Sequence, residues 1–238
     1  MRIALMILRV ILVFPYYLIH MIHLGKANPW DKEKAYKFVK HISTVANKKG
    51  RVTVEAHGVE NIPKENGFVL FPNHQGMYDV LIFLESCPNA FSFVAKAELK
   101  NVPLLKQVMC ALHCLTIDRK DLRQSMTVIQ EMTKRVSEGE NFLIFAEGTR
   151  SRMGNKMNDM KGGSFKSAVK AKAPIVPCAI MDSFVPFDEN SIRKITVKVF
   201  YLEPMYYDEY KDMSTNEIAA EVKKRIEAKI AENLPKEV

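Results

Sequence analysis

Beyond residue 51 the chain alternates two kinds of apolar pattern. Dense short runs of β-branched and aromatic residues lie at 52–55, 68–71, 91–95, 115–117, 142–145, 175–180 and 195–200, and runs of this kind predict strands. Between them, apolar residues recur at three- or four-residue steps. Residues 77–84 and 104–111 each carry an apolar face, and Leu122, Met126, Ile129, Met132 and Val136 line one side of 121–138. A last helix opens with Ser214-Thr215-Asn216-Glu217, in which the Ser and Glu side chains can cap each other's backbone N–H, and continues through Ile218, Val222, Ile226 and Ile230. Strands alternating with helices predict an α/β domain with a mostly buried central sheet flanked by helices. No repeat or low-complexity linker divides residues 52–238, which read as one domain.

Residues 1–51 follow different rules. From Ile3 to Leu24, 18 of 22 residues are apolar, interrupted only by Arg9, Pro15, His20 and His23. As one helix this run would be ~33 Å long, enough to cross a hydrocarbon core of ~30 Å. Arg9 would cost ~2.5–3.5 kcal/mol at the centre, and Pro15 removes a helical hydrogen bond. A kinked helix sunk into one leaflet is therefore expected before a single crossing. A third reading is a cleaved secretory signal, because Gly25-Lys26-Ala27 imitates the small-x-small cleavage site. Residues 30–50 follow as a basic helix, with Ala35, Phe38, Val39, Ile42, Val45 and Ala46 at helical spacing and Lys32, Lys34, Lys37 and Lys40 elsewhere. It can lie on an anionic leaflet, each lysine there adding roughly 1 kcal/mol, or it can be a solvated surface helix. The expectation is that 1–51 form membrane-anchoring helices, monotopic or single-pass, with the domain on the cytoplasmic side.

Charge sharpens this division. The chain carries a net +8, which in a protein of pI about 9.2 raises nucleic acid as a partner. Residues 1–51 hold ten basic and two acidic groups, however, and the remaining 187 residues balance at 25 of each. All of the excess sits with the apolar run, so an anionic membrane surface is expected and nucleic acid is not. The composition, 47% hydrophobic and 26% charged, excludes disorder and a collagen-like fibre. Cys87, Cys110, Cys114 and Cys178 have no disulfide-framework spacing and read as reduced, buried thiols. Cys110, His113 and Cys114 lack the fourth ligand that a structural zinc site needs, so no metal is expected. Gly-x-Ser-x-Gly, the Walker loop and Gly-x-Gly-x-x-Gly are absent.

Two polar constellations stand at the ends of predicted strands. In the first, Asn73-His74-Gln75-Gly76-Met77-Tyr78-Asp79, the Asp79 carboxylate can reach back to one imidazole nitrogen of His74. That would fix the tautomer and leave the other nitrogen as a general base; a histidine that merely caps the helix is the bland alternative. The second is Phe145-Ala146-Glu147-Gly148-Thr149-Arg150-Ser151. The Arg150 fork suits a phosphate, Gly148 admits close backbone approach and Thr149 adds a hydroxyl donor; the bland alternative is a surface ion pair between Glu147 and Arg150.

Taken in order, these blocks resemble the glycerophospholipid acyltransferase family. The family's Asn-His-x4-Asp is matched by Asn73, His74 and Asp79, and its Phe-x-Glu-Gly-Thr-Arg-Ser by Phe145 and Glu147 to Ser151. Between them Lys96, Glu98, Leu99, Pro103, Asp118 and Arg119 match its Lys-x-Glu-Leu, Pro and Asp-Arg elements, and Val176-Pro177 a later, weaker one. The likeness spans Asn73 to Pro177. The chain departs from it at Gly76, often Ser, at Ala146, often Pro, and at Leu104-Leu105-Lys106, where the family carries a glycine soon after the proline.

The resemblance implies a glycerolipid acyltransferase-like domain. It implies transfer of a fatty acyl group from acyl-CoA or acyl carrier protein to the sn-2 hydroxyl of lysophosphatidic acid, giving phosphatidic acid. His74 and Asp79 would be catalytic. Arg150 would hold the acceptor phosphate with help from Lys96 and Arg119, and Glu147, Gly148 and Thr149 would shape that site. No metal or redox cofactor is implied. Glycerol 3-phosphate or another lysophospholipid stays open as acceptor, and a non-catalytic binder of anionic membranes is the reading from a different class.

Overall fold

The computed structural model describes residues 1–118 and 121–234. In chain order the elements are α1 (Arg2–Val10), α2 (Phe14–Lys26), α3 (Lys32–Lys49), β1 (Val52–His57), β2 (Val69–Pro72), α4 (Asp79–Ser86), β3 (Phe91–Lys96), α5 (Leu105–Ala111), β4 (Leu115–Ile117), α6 (Leu122–Ser137), β5 (Asn141–Leu143), α7 (Lys166–Ala171), β6 (Ile175–Met181), α8 (Val185–Asp188), β7 (Ile195–Tyr201), α9 (Tyr207–Tyr210) and α10 (Thr215–Asn233). Each strand read from the sequence is present, and the seven form one sheet in the order β1-β7-β6-β2-β5-β3-β4.

The sheet is mixed. β6, β2, β5, β3 and β4 run parallel, while β7 is antiparallel to β6 and parallel to β1. Helices cover both faces, which explains why β2 and β6 are apolar throughout rather than alternating. Leu70, Val176, Cys178 and Ile180 pack toward Tyr36 of α3 and Ile82 and Phe83 of α4. Val69, Phe71, Ile175 and Ala179 face the other way, onto Met132 of α6 and Val222 and Ile226 of α10. Each such fully buried aliphatic or aromatic side chain contributes about 1.5–3 kcal/mol. Helix α10 starts as its sequence requires: Glu217 N–H donates to Ser214 Oγ at 3.3 Å and Ser214 N–H to the Glu217 carboxylate at 2.7 Å.

Of the element boundaries that differ from the sequence reading, two shape the polar constellations. β5 stops at Leu143, because the chain turns where Gly148 N–H donates to the Phe145 carbonyl at 3.1 Å. Helix α4 begins at Asp79 rather than at residue 77, the Asp79 carboxylate being taken up by the backbone that precedes it.

The N-terminal run is two helices, not one. α1 and α2 meet at 90°, with Pro15 in the first turn of α2, where its missing N–H costs nothing. Among the described residues no single helix is long and apolar enough to cross a membrane. Ile7, Leu8, Ile11, Leu12, Tyr16 and Ile19 are exposed, Leu12 to 94%, whereas Met6, Met21 and Leu24 face the protein. Arg2 is only 1% exposed. Its guanidinium donates to the carbonyls of Gly50 (2.6 Å), Arg193 (2.9 Å) and Pro186 (3.2 Å). Arg9, which a single crossing helix would carry near the bilayer centre, donates to the Lys49 carbonyl at 2.9 Å.

Helix α3 buries Ala35, Tyr36, Val39, Ser43 and Asn47. Of its four leading lysines, Lys34 and Lys37 are exposed, but Lys40 turns inward to donate to the Cys87 carbonyl at 2.7 Å and Lys32 lies 3.9 Å from Glu140. Cys87 and Cys178 are buried, and burial pushes the Cys87 thiol up to about 11; Cys110, read as buried, is exposed.

Candidate active site

The carboxyl ends of the five parallel strands share one edge of the sheet, where ligands of open α/β sheets bind. At that edge β2 leads into Asn73 and His74, β3 ends at Lys96, β5 leads into 145–151, and β6 leads into Asp182 and Ser183. Arg119, after β4, lies outside the described residues.

Asn73 replaces a strand residue with its side chain. Its amide accepts from Ile180 N–H at 2.7 Å and donates to the Ile180 carbonyl at 3.0 Å. The β2–β6 ladder is thereby extended while the main chain turns away, and the next residue stands clear of the sheet.

That residue, His74, is held at three points. Its N–H donates to Glu147 Oε1 at 2.6 Å, its carbonyl accepts from Ser151 N–H at 2.8 Å, and its ring stacks on Phe145 with centroids 4.0 Å apart. Its Nδ1 lies 2.7 Å from Asp79 Oδ2. Asp79 is fully buried, and its carboxylate also accepts from Gln75 N–H (2.8 Å), Gly76 N–H (3.0 Å) and the Ser183 hydroxyl (2.6 Å). Both carboxylate oxygens thus act as acceptors of hydrogen bonds from their surroundings. An anion at Oδ2 requires the proton on Nδ1, so the lone pair of the neutral ring is on Nε2. Among the described residues nothing bonds to that nitrogen, and the side chain is 20% exposed.

Glu147 is not ion-paired with Arg150. Its two oxygens accept from His74 N–H and from Asn158 N–H, the latter at 2.8 Å. Burial pushes its carboxyl above the usual range, outweighing the opposing effect of those two bonds. The carboxylate thus ties the His74 turn to the 145–151 turn and to residue 158. Gly148 has φ +79°, and a Cβ there would sit 3.1 Å from Lys161 Nζ, so its glycine serves both the turn and a lysine lying across it. Thr149 is exposed and Arg150 half-buried, one residue before the bond to the His74 carbonyl. Lys96 is exposed and pairs with Glu98 at 2.8 Å. Leu104, near the position where the resembled family has glycine, holds φ +68°.

The structure therefore brings Asp79 and Glu147 each into direct contact with His74, with Gly148, Thr149 and Arg150 on the adjoining turn. Lys96 shares the edge without a described bond to them. Sequence reasoning missed Gln75, Asn155, Ser183 and Lys161. The one available signal was the polar Asp182-Ser183 pair directly after the apolar β6 run, at the same carboxyl edge as His74 and Glu147.

A His-Asp pair at the carboxyl edge lies beside a Gly-Thr-Arg turn, and a sequence profile described as Acyltransferase matches residues 53–181, over half of the chain. The chain belongs to the acyltransferase family. Among curated relatives, it is 28% identical over 176 residues to the 1-acyl-sn-glycerol-3-phosphate acyltransferase of Borreliella burgdorferi, covering 71% of this chain and 70% of that one. It is 28% identical over 206 residues to the enzyme of that name from Escherichia coli K12, covering 84% and 83%. A probable enzyme of that name from Mycoplasma genitalium is 33% identical over 138 residues, 56% of this chain and half of the relative. The fold matches the crystal structure of the 1-acyl-sn-glycerophosphate (LPA) acyltransferase PlsC from Thermotoga maritima over the whole of both chains, with a TM-score of 0.77 at 22% identity.

Proposed function

We propose that the protein transfers a fatty acyl group from a thioester donor, acyl-CoA or acyl carrier protein, to the sn-2 hydroxyl of lysophosphatidic acid, giving phosphatidic acid. The observation that carries this reading is His74. Its Nδ1 is clamped to a buried, fully hydrogen-bonded Asp79, and its Nε2 is unbonded among the described residues, beside the turn that carries Arg150. The names of the curated relatives support the acceptor.

In this reading Nε2 takes the acceptor's hydroxyl proton as its oxygen attacks the thioester carbonyl. The new C–O bond forms, the tetrahedral intermediate collapses with loss of the C–S bond, and the imidazolium returns its proton to the leaving thiolate. Asp79 stabilises the charge on the ring throughout. No covalent acyl-enzyme is needed. Arg150, with Lys96 and Arg119, holds the acceptor phosphate, while Glu147 and Gly148 keep the phosphate turn against His74. The exposed apolar side chains of α1 and α2, followed by Lys34 and Lys37, seat residues 1–51 on an anionic leaflet with the domain of 52–238 on the cytoplasmic side.

Incubating the purified protein with lysophosphatidic acid and a long-chain acyl-CoA or acyl carrier protein, then measuring phosphatidic acid by mass spectrometry, tests this directly. Product from glycerol 3-phosphate alone would move the acceptor within the class. No product from any acceptor, alongside binding to anionic vesicles, would replace the enzyme reading with a membrane binder.

A further inference from the structure

We propose that Ser183, held by Gln75, is a positioning residue that pins the Asp79 carboxylate on His74; this rests on the reading of His74 as the base. Ser183 is fully buried, on the segment after β6, 104 residues from Asp79. Its hydroxyl has one proton and two acceptors within reach, Asp79 Oδ1 at 2.6 Å and Gln75 Oε1 at 2.9 Å. The Gln75 amide has a fixed orientation: its Nε2 donates to Asn155 Oδ1 at 2.9 Å and to the Ile180 carbonyl at 3.0 Å, so its oxygen is the atom that meets Ser183 N–H at 3.0 Å. With that oxygen already bonded to a backbone N–H, the hydroxyl proton goes to the closer, charged acceptor, Asp79.

Ser183 does what the other donors to Asp79 cannot. Gln75 N–H and Gly76 N–H belong to the same short turn as His74, so they move with it. Ser183 approaches from another strand and grips Oδ1, the oxygen that does not touch the imidazole. Holding Oδ1 from outside fixes rotation of the carboxylate, which keeps Oδ2 on Nδ1 and aims Nε2. Asn155 extends the tie, accepting from Asp182 N–H and donating to Asp182 Oδ1, each at 2.9 Å.

Other charged groups around the pair stay unchanged when Ser183 is altered. They are Glu147 on His74 N–H, Arg150 next to the residue bonded to the His74 carbonyl, Asp182 through Asn155, and Asp188, whose Oδ2 lies 3.7 Å from where a Gly76 Cβ would stand.

The test compares the wild-type full-length enzyme with Ser183→Ala, Ser183→Cys and His74→Ala, using lysophosphatidic acid and a long-chain acyl-CoA. Ser183→Ala should lower kcat by about 10-fold, the scale of one hydrogen bond to a charged group, with both KM values unchanged. A carboxylate with one donor fewer attracts the imidazolium more strongly, so the acid limb of kcat/KM should move to higher pH. Ser183→Cys, a weaker donor, should fall between, and it carries the comparison if the alanine variant does not fold. Wild-type kcat and an unmoved acid limb in Ser183→Ala, with His74→Ala inactive, would overturn this inference alone. So would a loss confined to KM. An active His74→Ala would overturn the base reading itself.

Discussion

Replacing Asp79 by asparagine separates the charge of the pair from its architecture. Four donors converge on the carboxylate: His74 Nδ1–H and Gln75 N–H on Oδ2, Gly76 N–H and the Ser183 hydroxyl on Oδ1. An asparagine that keeps its oxygen at the Oδ2 position still accepts from His74, so the tautomer is preserved. Its NH2 then faces two donors: Ser183, whose proton swings to Gln75 Oε1 at 2.9 Å, and Gly76 N–H, which keeps the retained oxygen at the Oδ2 position, 3.2 Å away, as its acceptor. The fold should hold, and what is lost is the anion opposite the imidazolium. At 2.7 Å and an effective dielectric constant near 20, that interaction is bounded at about 6 kcal/mol, and hydrogen bonds to charged groups are worth about 1.5–3 kcal/mol. At 1.36 kcal/mol per decade, kcat should fall by roughly 10²- to 10⁴-fold.

The pH dependence carries the sign. Without the carboxylate the ring holds a proton less tightly, so the acid limb of kcat/KM should move to lower pH, opposite to Ser183→Ala. Asp79→Ala should in addition lose several kcal/mol of stability, because buried donors are left unpaired at about 1–3 kcal/mol each. Steady-state phosphatidic acid formation from pH 5 to 9, with urea unfolding in parallel, decides it. Asp79→Asn turnover within about threefold of wild type, or an acid limb that moves up, would refute the coupling of Asp79 to the base.

Three further outcomes are expected. Glu147→Gln puts an amide NH2 against either His74 N–H or Asn158 N–H and should lower kcat and loosen the 145–158 segment to hydrogen exchange. Because burial raises the Glu147 carboxyl, the folded state holds its proton more tightly than the unfolded one. Its contribution is therefore greatest at acidic pH and is lost as pH rises from the ordinary carboxylate range through the raised folded value, so the stability of wild type relative to Glu147→Gln should decline over that interval in thermal melts. Arg150→Ala should raise the acceptor KM and leave the donor KM unchanged, with Arg150→Lys recovering only part because an ammonium cannot make the two-pronged contact; a loss confined to the donor would move Arg150 to the thioester. Leu8→Asp with Leu12→Asp, two side chains 67% and 94% exposed, should release the protein from anionic vesicles in flotation assays while sparing turnover of a short-chain acceptor; unchanged flotation would refute insertion of this face.

Strands were legible because their signal is local. A buried parallel strand must be apolar on both faces, and 68–71 and 175–180 have no other use for so dense a run of such residues. The contact of His74 with Asp79 was legible for the same reason, since the two lie within one turn of chain. The short helices α7, α8 and α9 offer too few residues for a period to emerge. Ser183, Gln75 and Asn155 are common polar residues whose partners lie 27 to 108 positions away, so nothing near them in the chain distinguishes them. Near the N-terminus, a count of charges does not say which way each one faces. Arg2, Arg9, Lys32 and Lys40 count as membrane-facing cations by composition, yet each is turned toward the protein's own carbonyl or carboxylate oxygens. Deleting 1–51 would accordingly strip Tyr36 and Val39 from the core, which is why point changes on the exposed face are the cleaner probe of the membrane reading.

The bond between His74 and Glu147 spans 73 residues, and those from Asn73 and Gln75 to the end of β6 span 107 and 108. Contacts this distant in sequence cannot form until the parallel strands between them have docked, and closing such loops is the slow part of building an α/β sheet. Helices can form early and locally, but the His74 imidazole has no fixed direction until β2, β5 and β6 lie side by side. The chemistry is thus a late product of folding. A nascent or partly unfolded chain, even one with most of its helices in place, holds a His74 whose ring is not yet aimed.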